Sequence, residues 1–210
     1  MASVTLQPET SRGRSAIALV LTAIFWNAVT YLLFGIFLAV FSDADFSTLG
    51  NFGFYGLFGV FIAIGLGLAV LAVRSLLTLR YAPLPVLTLP VAALPVGEAA
   101  NLSWRIDGLR SRIQSLAVSL EGKEEVQYIS GTDTMTDRHV FHQASLYDSG
   151  SSPPMTEGRG RIAIPANTMW SWAARHNKIV WQIRVKMRLA GLPATNECFP
   201  FVVVPAGGGR

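Results

Sequence analysis

The β-rich part of this fold is decided by residues 179–187, which read IVWQIRVKM. Apolar side chains occupy the odd-numbered positions, whereas Gln182, Arg184 and Lys186 occupy even-numbered ones. Because successive side chains of a strand point to opposite faces of a sheet, this alternation predicts a strand with one buried face and one outward face. We therefore interpret the neighbouring segments outward from this strand.

The same period of two recurs on both sides of it. It marks Leu102, Trp104 and Ile106, then Leu116, Val118 and Leu120, then Val126 and Tyr128, and then Val140, His142, Ala144 and Leu146. Residues 199–204 are predicted to close the sheet, and residues 86–89 to form an edge strand, where the nearby prolines are tolerated. Seven or eight short strands separated by turn signals predict an antiparallel β-sandwich over residues 81–205.

The first eighty residues have a different character, because residues 16–41 and 52–73 contain no charge. A helix needs about 20 apolar residues to cross the hydrocarbon core of a bilayer. These runs therefore predict transmembrane helices over residues 15–41 and 53–80. The first run is much longer than the roughly 7–15 apolar residues of a signal peptide, so we expect it to be retained. The whole chain is 51% hydrophobic and only 14% charged.

The flanking charges predict the orientation of this hairpin. Basic residues lie before the first helix and after the second, at Arg12, Arg14, Arg74 and Arg80. The connecting loop, residues 42–52, carries two aspartates and no Lys or Arg. Since Lys and Arg are enriched in cytoplasmic loops, both termini and the β-sandwich are expected in the cytoplasm, with the acidic loop outside. Residues 1–14 and 206–210 are predicted to be tails.

Small residues recur at four-residue spacing on the second helix, at Gly59, Ala63 and Gly67, with Gly65 on a neighbouring stripe. Such spacing allows two helix backbones to approach closely in lipid. The stripe either packs the second helix on the first or docks the hairpin on another membrane subunit. Asn27 lies in the middle of the first helix, where an unpaired amide is costly, so it is expected to face a partner helix.

The sequence carries no motif of a known catalytic site: it has no glycine-rich phosphate loop, no GxSxG and no HExxH. His139 and His142 lie three residues apart in a predicted strand, so they are expected on opposite faces unless a bulge intervenes. The single cysteine, Cys198, has only Glu197 as a charged sequence neighbour, which does not favour a thiolate. We expect no catalytic residue, no metal and no cofactor.

Two groups of charged residues remain. Glu121, Glu124 and Glu125 are predicted to lie in a solvated loop near a hairpin turn. A second group, at Arg184, Lys186 and Arg188, forms an outward row on the predicted strand and is either a solvated face or a contact to anionic lipid head groups or an acidic partner. Residues 81–210 carry 13 Lys and Arg against 10 Asp and Glu, and no nucleic-acid-binding module, so nucleic acid is not an expected partner.

Several of these features resemble a family of uncharacterised bacterial membrane proteins. They are Phe25-Trp26-Asn27 in the first span, a glycine-rich second span that ends in basic residues, and the segments 162–165, 179–185 and 199–205. The resemblance covers roughly residues 20–205. It implies a C-terminal arrestin-like β-sandwich after a transmembrane hairpin in the inner membrane, and it implies no activity.

These observations lead to two functional expectations. In the first, the chain is a non-enzymatic accessory subunit of a larger inner-membrane complex, for example a respiratory or photosynthetic one, that docks on other integral membrane subunits by its hairpin. In the second, it is a stand-alone membrane-tethered adaptor or sensor whose β-sandwich binds a soluble client or ligand. An enzyme with an unrecognised site would instead require a pocket that collects His139 or His142 with a carboxylate.

Overall fold

A computed structural model of the chain describes residues 3–9, 12–41, 48–107, 113–131, 133–150 and 154–207. It divides the chain into two compact units, one formed by residues 11–81 and the other by residues 1–10 together with 82–210. The first unit is helical and the second consists mainly of strands. The prediction of two long apolar helices joined to a mostly β region is therefore confirmed.

The helical unit consists of α1, Arg12–Phe41, and α2, Thr48–Tyr81. By length and composition both are able to cross a membrane. Each begins earlier than the corresponding predicted span. The predicted loop 42–52 overlaps the first turn of α2, and residues 42–47 lie outside the described residues.

Aromatic side chains fill the interface between α1 and α2. Three ring pairs join the helices, with centroid distances of 5.5 Å for Trp26–Phe61, 5.1 Å for Phe34–Phe58 and 3.6 Å for Phe37–Phe54. The indole Nε1 of Trp26 also donates a hydrogen bond to the carbonyl oxygen of Phe61, at 3.1 Å. Large rings at regular intervals thus hold this pair of helices together.

The described residues of the second unit form two sheets. Their strands are β1 Val4–Leu6, β2 Pro85–Leu89, β3 Ala93–Pro95, β4 Ala99–Ile106, β5 Ile113–Ser130, β6 Asp133–Asp148, β7 Glu157–Ala163, β8 Trp172–Ala173, β9 Asn177–Leu189 and β10 Thr195–Val204. One sheet has the order β1-β2-β4-β7, and the other has the order β3-β10-β9-β5-β6, with β8 also paired to β9. All pairs are antiparallel except β3 with β10.

A single core cluster contains buried side chains of both sheets, among them Leu102 and Trp104 of the first sheet and Leu116, Trp181 and Phe199 of the second. On β9 the odd positions from 181 to 187 are buried, as the alternation predicts. Burying each large apolar side chain stabilises the fold by about 1.5–3 kcal/mol. The shared core is thus the main source of stability for this unit.

The expectation of an N-terminal tail over residues 1–14 is wrong for residues 4–6. These form β1, in which Val4, Thr5 and Leu6 stand opposite Leu89, Thr88 and Leu87 of β2. The backbone N–H of Glu9 then donates to the carbonyl oxygen of Cys198, at 2.8 Å. A strand of three residues is too short to show a periodic pattern. As a result β2, which we expected at an edge, lies between β1 and β4.

The predicted loop around Glu121, Glu124 and Glu125 is also wrong. These residues lie inside β5, which runs without a break for 18 residues. The hairpin turn comes later, at Gly131, whose φ of 65° lies in the left-handed region that favours glycine. β5 is long because it pairs with β6 on one side and with β9 on the other.

Candidate functional site

A row of charged side chains lies on the face of β5 opposite the core. Glu121, Lys123 and Glu125 occupy alternate positions, so they share this face, and all three are buried. Burying a charge is costly unless an opposite charge accompanies it. The surroundings of these three residues are therefore the most informative electrostatic feature of the molecule.

Glu125 lies among three basic side chains. In the sheet, Arg138 of β6 and Lys178 of β9 stand directly opposite it on either side. Its oxygens lie 2.7 Å from Lys178 Nζ, 2.9 Å from Lys123 Nζ and 3.3 Å from Arg138 Nε. The register of three adjacent strands thus builds this cluster.

The environment lowers the pKa of Glu125. Burial alone would raise the pKa of this carboxyl, but hydrogen bonds and charge attraction from Lys123 and Lys178 outweigh it and lower the pKa from 4.5 to about 2. The group therefore remains ionised through the range in which ordinary glutamates accept a proton. A carboxylate held in this way acts as a structural anion.

Glu121 is neutralised in a similar way further along β5. Its Oε2 lies 2.9 Å from Nη2 of Arg184 and accepts a hydrogen bond from Nε2 of the fully buried Gln182 at 3.1 Å. Lys123 Nζ additionally lies 3.5 Å from a carboxylate oxygen of Glu9, just beyond β1. We call Glu9, Glu121, Lys123, Glu125, Arg138, Lys178 and Arg184 the ion-pair network. It joins residues of β5, β6, β9 and the N-terminal segment.

The ion-pair network changes the interpretation of the predicted basic row. Arg184 is only 26% exposed in its side chain and is paired with Glu121, whereas Lys186 and Arg188 are exposed. Arg184 is therefore not an outward cation like the other two. The surface that is offered to a lipid or a partner is reduced to Lys186 and Arg188.

Cys198 is half-buried on β10, directly opposite Arg184. Burial raises the pKa of its thiol, and the charges of Arg184 and Lys123 offset this only in part. The thiolate form is therefore disfavoured, as the sequence indicates. The proximity of Arg184 could not be read from the sequence, because it follows from the pairing of β9 with β10. This environment is typical of an unreactive cysteine.

The two histidines of β6 lie on one face, contrary to expectation. A register shift at Phe141 places His139 opposite Glu124 and His142 opposite Gly122, which are two residues apart on β5. His139 is exposed, and His142 packs with its ring 5.4 Å from that of Trp181. Among the described residues, no group of three or more His, Cys, Asp and Glu side chains is placed to hold a metal ion.

In the helical unit, Asn27 lies against α2. Its Nδ2 donates to the carbonyl oxygens of Ala23 and Gly65, at 2.8 and 3.2 Å. A Cβ atom at Gly65 would lie 2.5 Å from Asn27 Oδ1, so a larger residue there would displace the Asn27 side chain. The contact therefore uses the stripe that neighbours the predicted one.

The predicted stripe of Gly59, Ala63 and Gly67 is exposed. A Cβ added at Gly59 or Gly67 would meet no atom within 4 Å. The structure thus does not place this stripe against α1. The alternative, contact with another membrane subunit, stays a prediction.

One further surface is apolar and exposed. Beyond Val126, the last residue of β5 that pairs with β9, the strands β5 and β6 continue as a two-stranded ribbon. We call residues 128–131 and 133–136 the β5–β6 arm. Tyr128, Ile129 and Met135 on this arm are 49%, 76% and 50% exposed.

Comparisons with solved structures find proteins that are similar to this chain in structure. No protein-family model and no curated protein sequence matches the chain. Spo0M, a sporulation control protein from Bacillus subtilis, is similar in structure, with 12% sequence identity and a TM-score of 0.41. The match covers 58% of this chain and 49% of Spo0M, so the chain spans about half the length of that protein.

Sequence reasoning missed the ion-pair network. A signal for it exists in the alternation Glu121, Lys123, Glu125, since opposite charges two residues apart fall on the same face of a strand. Cross-strand partners such as Lys178 and Arg184 neutralise such charges only when the register is known. A run of glutamates taken by itself indicates a solvated loop. For this reason the sequence alone favours a loop rather than a strand for Glu121, Glu124 and Glu125.

Proposed function

We propose that this protein is a non-enzymatic accessory subunit of a larger bacterial inner-membrane complex. In this proposal α1 and α2 span the membrane as a hairpin, and the two-sheet unit, an immunoglobulin/arrestin-like sandwich, lies in the cytoplasm and braces partner proteins. The host complex would be, for example, a respiratory or photosynthetic one. The proposal rests on the exposed apolar side chains of the β5–β6 arm, on the mutual pairing of charged side chains in the ion-pair network, and on the pairing of β1 with β2.

The observation that carries the proposal is the β5–β6 arm. It exposes three large apolar side chains on a ribbon that neither β9 nor the rest of the sheet covers. Exposed apolar surface of this kind marks protein–protein or membrane interaction sites and ligand-binding grooves. The ionisable side chains best placed for chemistry, in contrast, are paired with one another in the ion-pair network.

The strand pairing supports a hairpin with both ends on one side of the membrane. β1 precedes α1 and β2 follows α2, yet the two strands pair along three residues. Two hydrogen-bonded strands must lie on the same side of a bilayer. The chain between them therefore crosses an even number of times, and two spanning helices satisfy this condition.

Two further surfaces fit a membrane subunit. The exposed stripe of Gly59, Ala63 and Gly67 would let a helix of another subunit approach closely, provided that the hairpin lies in lipid.

Lys186 and Arg188 would meet anionic lipid head groups or an acidic partner, each with a gain of about 1 kcal/mol near such a surface. If the charge contact matters, K186Q/R188Q will weaken association at low salt, and unchanged association would remove this part of the proposal.

The test of the proposal is to tag the C-terminus, solubilise membranes in a mild detergent, and identify and weigh what co-purifies. A fixed, stoichiometric set of integral membrane subunits is expected. The triple variant Y128S/I129S/M135S should lose at least one of these subunits, while R159S/R161S on β7 serves as a matched surface control. A lone monomer or homodimer would reject the subunit proposal.

The alternative is a stand-alone membrane-tethered adaptor or sensor. The same arm favours it, because a protruding apolar ribbon also suits a transient soluble client. Cross-linking in intact cells before solubilisation separates the two. Transient contacts to soluble proteins through the arm, without membrane subunits, would support the adaptor.

A further inference from the structure

A groove runs between β6 and the segment that joins β7 to β8. Its wider part, of about 620 Å³, is lined by Phe141, His142 and residues 165–169. Its narrower part, of about 310 Å³, is lined by Thr168, Met169, Trp170, Trp172 and Ile179. Thr168 and Met169 line both parts, so the two parts adjoin. Its dimensions match those of small-molecule sites, which span roughly 300–1,000 Å³.

The groove is built on the indole of Trp181, which is fully buried. The indole Nε1 donates a hydrogen bond to the carbonyl oxygen of Met169 at 2.8 Å, and the ring packs edge-to-face on Phe141 with a centroid distance of 5.5 Å. Nearby, Ser171 and Val203 exchange two hydrogen bonds, of 2.8 and 2.9 Å. Both walls are therefore fixed before any ligand arrives.

The bulge in β6 gives the groove its wider part. A register shift at Phe141 brings Phe141 and His142 together at the wall. Opposite them, a Cβ atom at Gly122 would lie 2.7 Å from the ring of Phe141, so glycine at this position is what lets the ring pack there. Bulges commonly re-aim side chains next to binding sites.

The two parts of the groove differ in polarity. The narrower part exposes two tryptophans, Trp170 at 48% and Trp172 at 47%, beside Met169. The wider part contains the side chains of Asn167 and Thr168 and the imidazole of His142. Nε2 of His142 is enclosed and has no hydrogen-bond partner among the described residues. The described lining includes no Asp, Glu, Lys or Arg, so hydrogen bonding and apolar contact, rather than charge, would select the ligand.

We propose that this groove binds a small amphipathic molecule with a flat apolar body and one polar head. The body lies against Trp170, Trp172 and Met169, because large aromatic surfaces are left uncovered there. The head lies at the wider end, against Asn167, where a small shift of the enclosed imidazole lets the head reach Nε2 of His142. This inference is independent of the proposed function, since the groove would serve a subunit and a lone adaptor equally.

The tryptophans themselves provide the test. The chain has five tryptophans. The full-length protein, labelled with 5-fluorotryptophan and placed in lipid nanodiscs, therefore gives five ¹⁹F signals. Each signal is assigned with a Trp→Phe variant. 2-Naphthol, a flat bicyclic body with one uncharged polar head, serves as the probe. We expect saturable shifts of the Trp170 and Trp172 signals, with Trp26 of α1 and Trp104 of the core as internal controls. Methanol, which carries a hydroxyl but lacks the flat body, should shift none.

Two variants separate the head from the body. H142F keeps a planar ring against Trp181 but removes both ring nitrogens, so the probe should bind about tenfold more weakly. H139F, on the same strand and outside the groove, should bind it as the native chain does, and W172A should abolish saturation. An unchanged affinity in H142F would overturn the placement of the head.

Other outcomes overturn the proposal as a whole. A shift of the Trp26 signal together with the rest means that the probe has dissolved in the lipid. No shift at millimolar probe rejects this ligand class. If a partner protein reduces the mobility of Trp170 and Trp172 and the probe does not bind, the groove is a contact surface for that protein instead.

Discussion

Glu125 lies within salt-bridge distance of three basic side chains, which ties the stability of the six-stranded sheet to pH. Its pKa is about 2 in the folded chain, against 4.5 for an unperturbed glutamate. Because the folded pKa is lowered, the stabilisation is present above pH 4.5 and is lost as the pH falls from 4.5 towards 2, by on the order of 3 kcal/mol.

This acid dependence can be measured on the full-length protein in detergent by thermal unfolding followed through tryptophan fluorescence. The variant E125Q should unfold with a melting temperature that depends less steeply on pH between 2 and 4.5. E124Q, at the neighbouring position on the other face of β5, should keep the native slope. An equally steep slope in E125Q would show that other groups carry the acid sensitivity.

Three of the four basic residues of β9, namely Arg184, Lys186 and Arg188, should respond differently to removal of charge. R184Q leaves the buried carboxylate of Glu121 without its cation, which should lower the free energy of unfolding by about 2–3 kcal/mol. K186Q and R188Q alter exposed side chains, so each should stay within about 0.5 kcal/mol of the native value. Denaturant titration of the three variants tests this, and equal effects would contradict the pairing of Arg184.

We expect the helical hairpin to depend on one of its glycines and to tolerate substitution at two others. G65L would force a side chain into Asn27 and should destabilise the pair of helices by about 1–3 kcal/mol. G59L and G67L meet no atom within 4 Å and should leave the hairpin intact. Thermal unfolding of the three variants in detergent measures the difference.

The same variants bear on docking. If G59L/G67L keeps native stability and loses co-purifying subunits, the exposed stripe is a contact to another subunit. If both stability and association are native, the stripe has no partner. G65L serves as the control for association that is lost merely because the hairpin is distorted.

Elements with a strong local pattern are those that the sequence predicts well. The helices follow from uncharged runs, and β9 follows from alternation over residues 179–187. β1 could not be predicted, because three residues show no period and their place is fixed by β2, more than eighty positions later. The ion pair between Glu125 and Lys178 likewise joins residues that are distant in sequence. Such pairing depends on tertiary register, which no local pattern encodes.

The groove illustrates the same limit within one strand. The alternation over β6 predicts a regular strand, but one extra residue at Phe141 shifts the register and brings two histidines to the same face. Gly122, on the opposite strand, makes room for that shift. Neither Phe141 nor Gly122 predicts the bulge by itself, because a bulge is defined by how two strands pair.

The pairing of β1 with β2 makes a topological prediction. In a cysteine-free C198S background, the opposite residues Thr5 and Thr88, replaced as T5C/T88C, should form a disulfide within one chain, since directly paired strand residues lie within disulfide reach. T5C/S103C is the matched control, because Ser103 lies on the far side of β2. Failure of T5C/T88C to cross-link in membranes would contradict a common side for both strands.

That pairing also sets an order of events during synthesis. The N-terminal strand leaves the ribosome first, yet its partner emerges only after both helices have been translated. Until then the growing chain holds an unpaired strand. When β2 emerges from the ribosome, it presents an open edge that is able to pair with a wrong strand. In the proposed membrane subunit, insertion of the hairpin and closure of the sheet are thus sequential steps of biogenesis, and a delay in the first prolongs the aggregation-prone interval before the second.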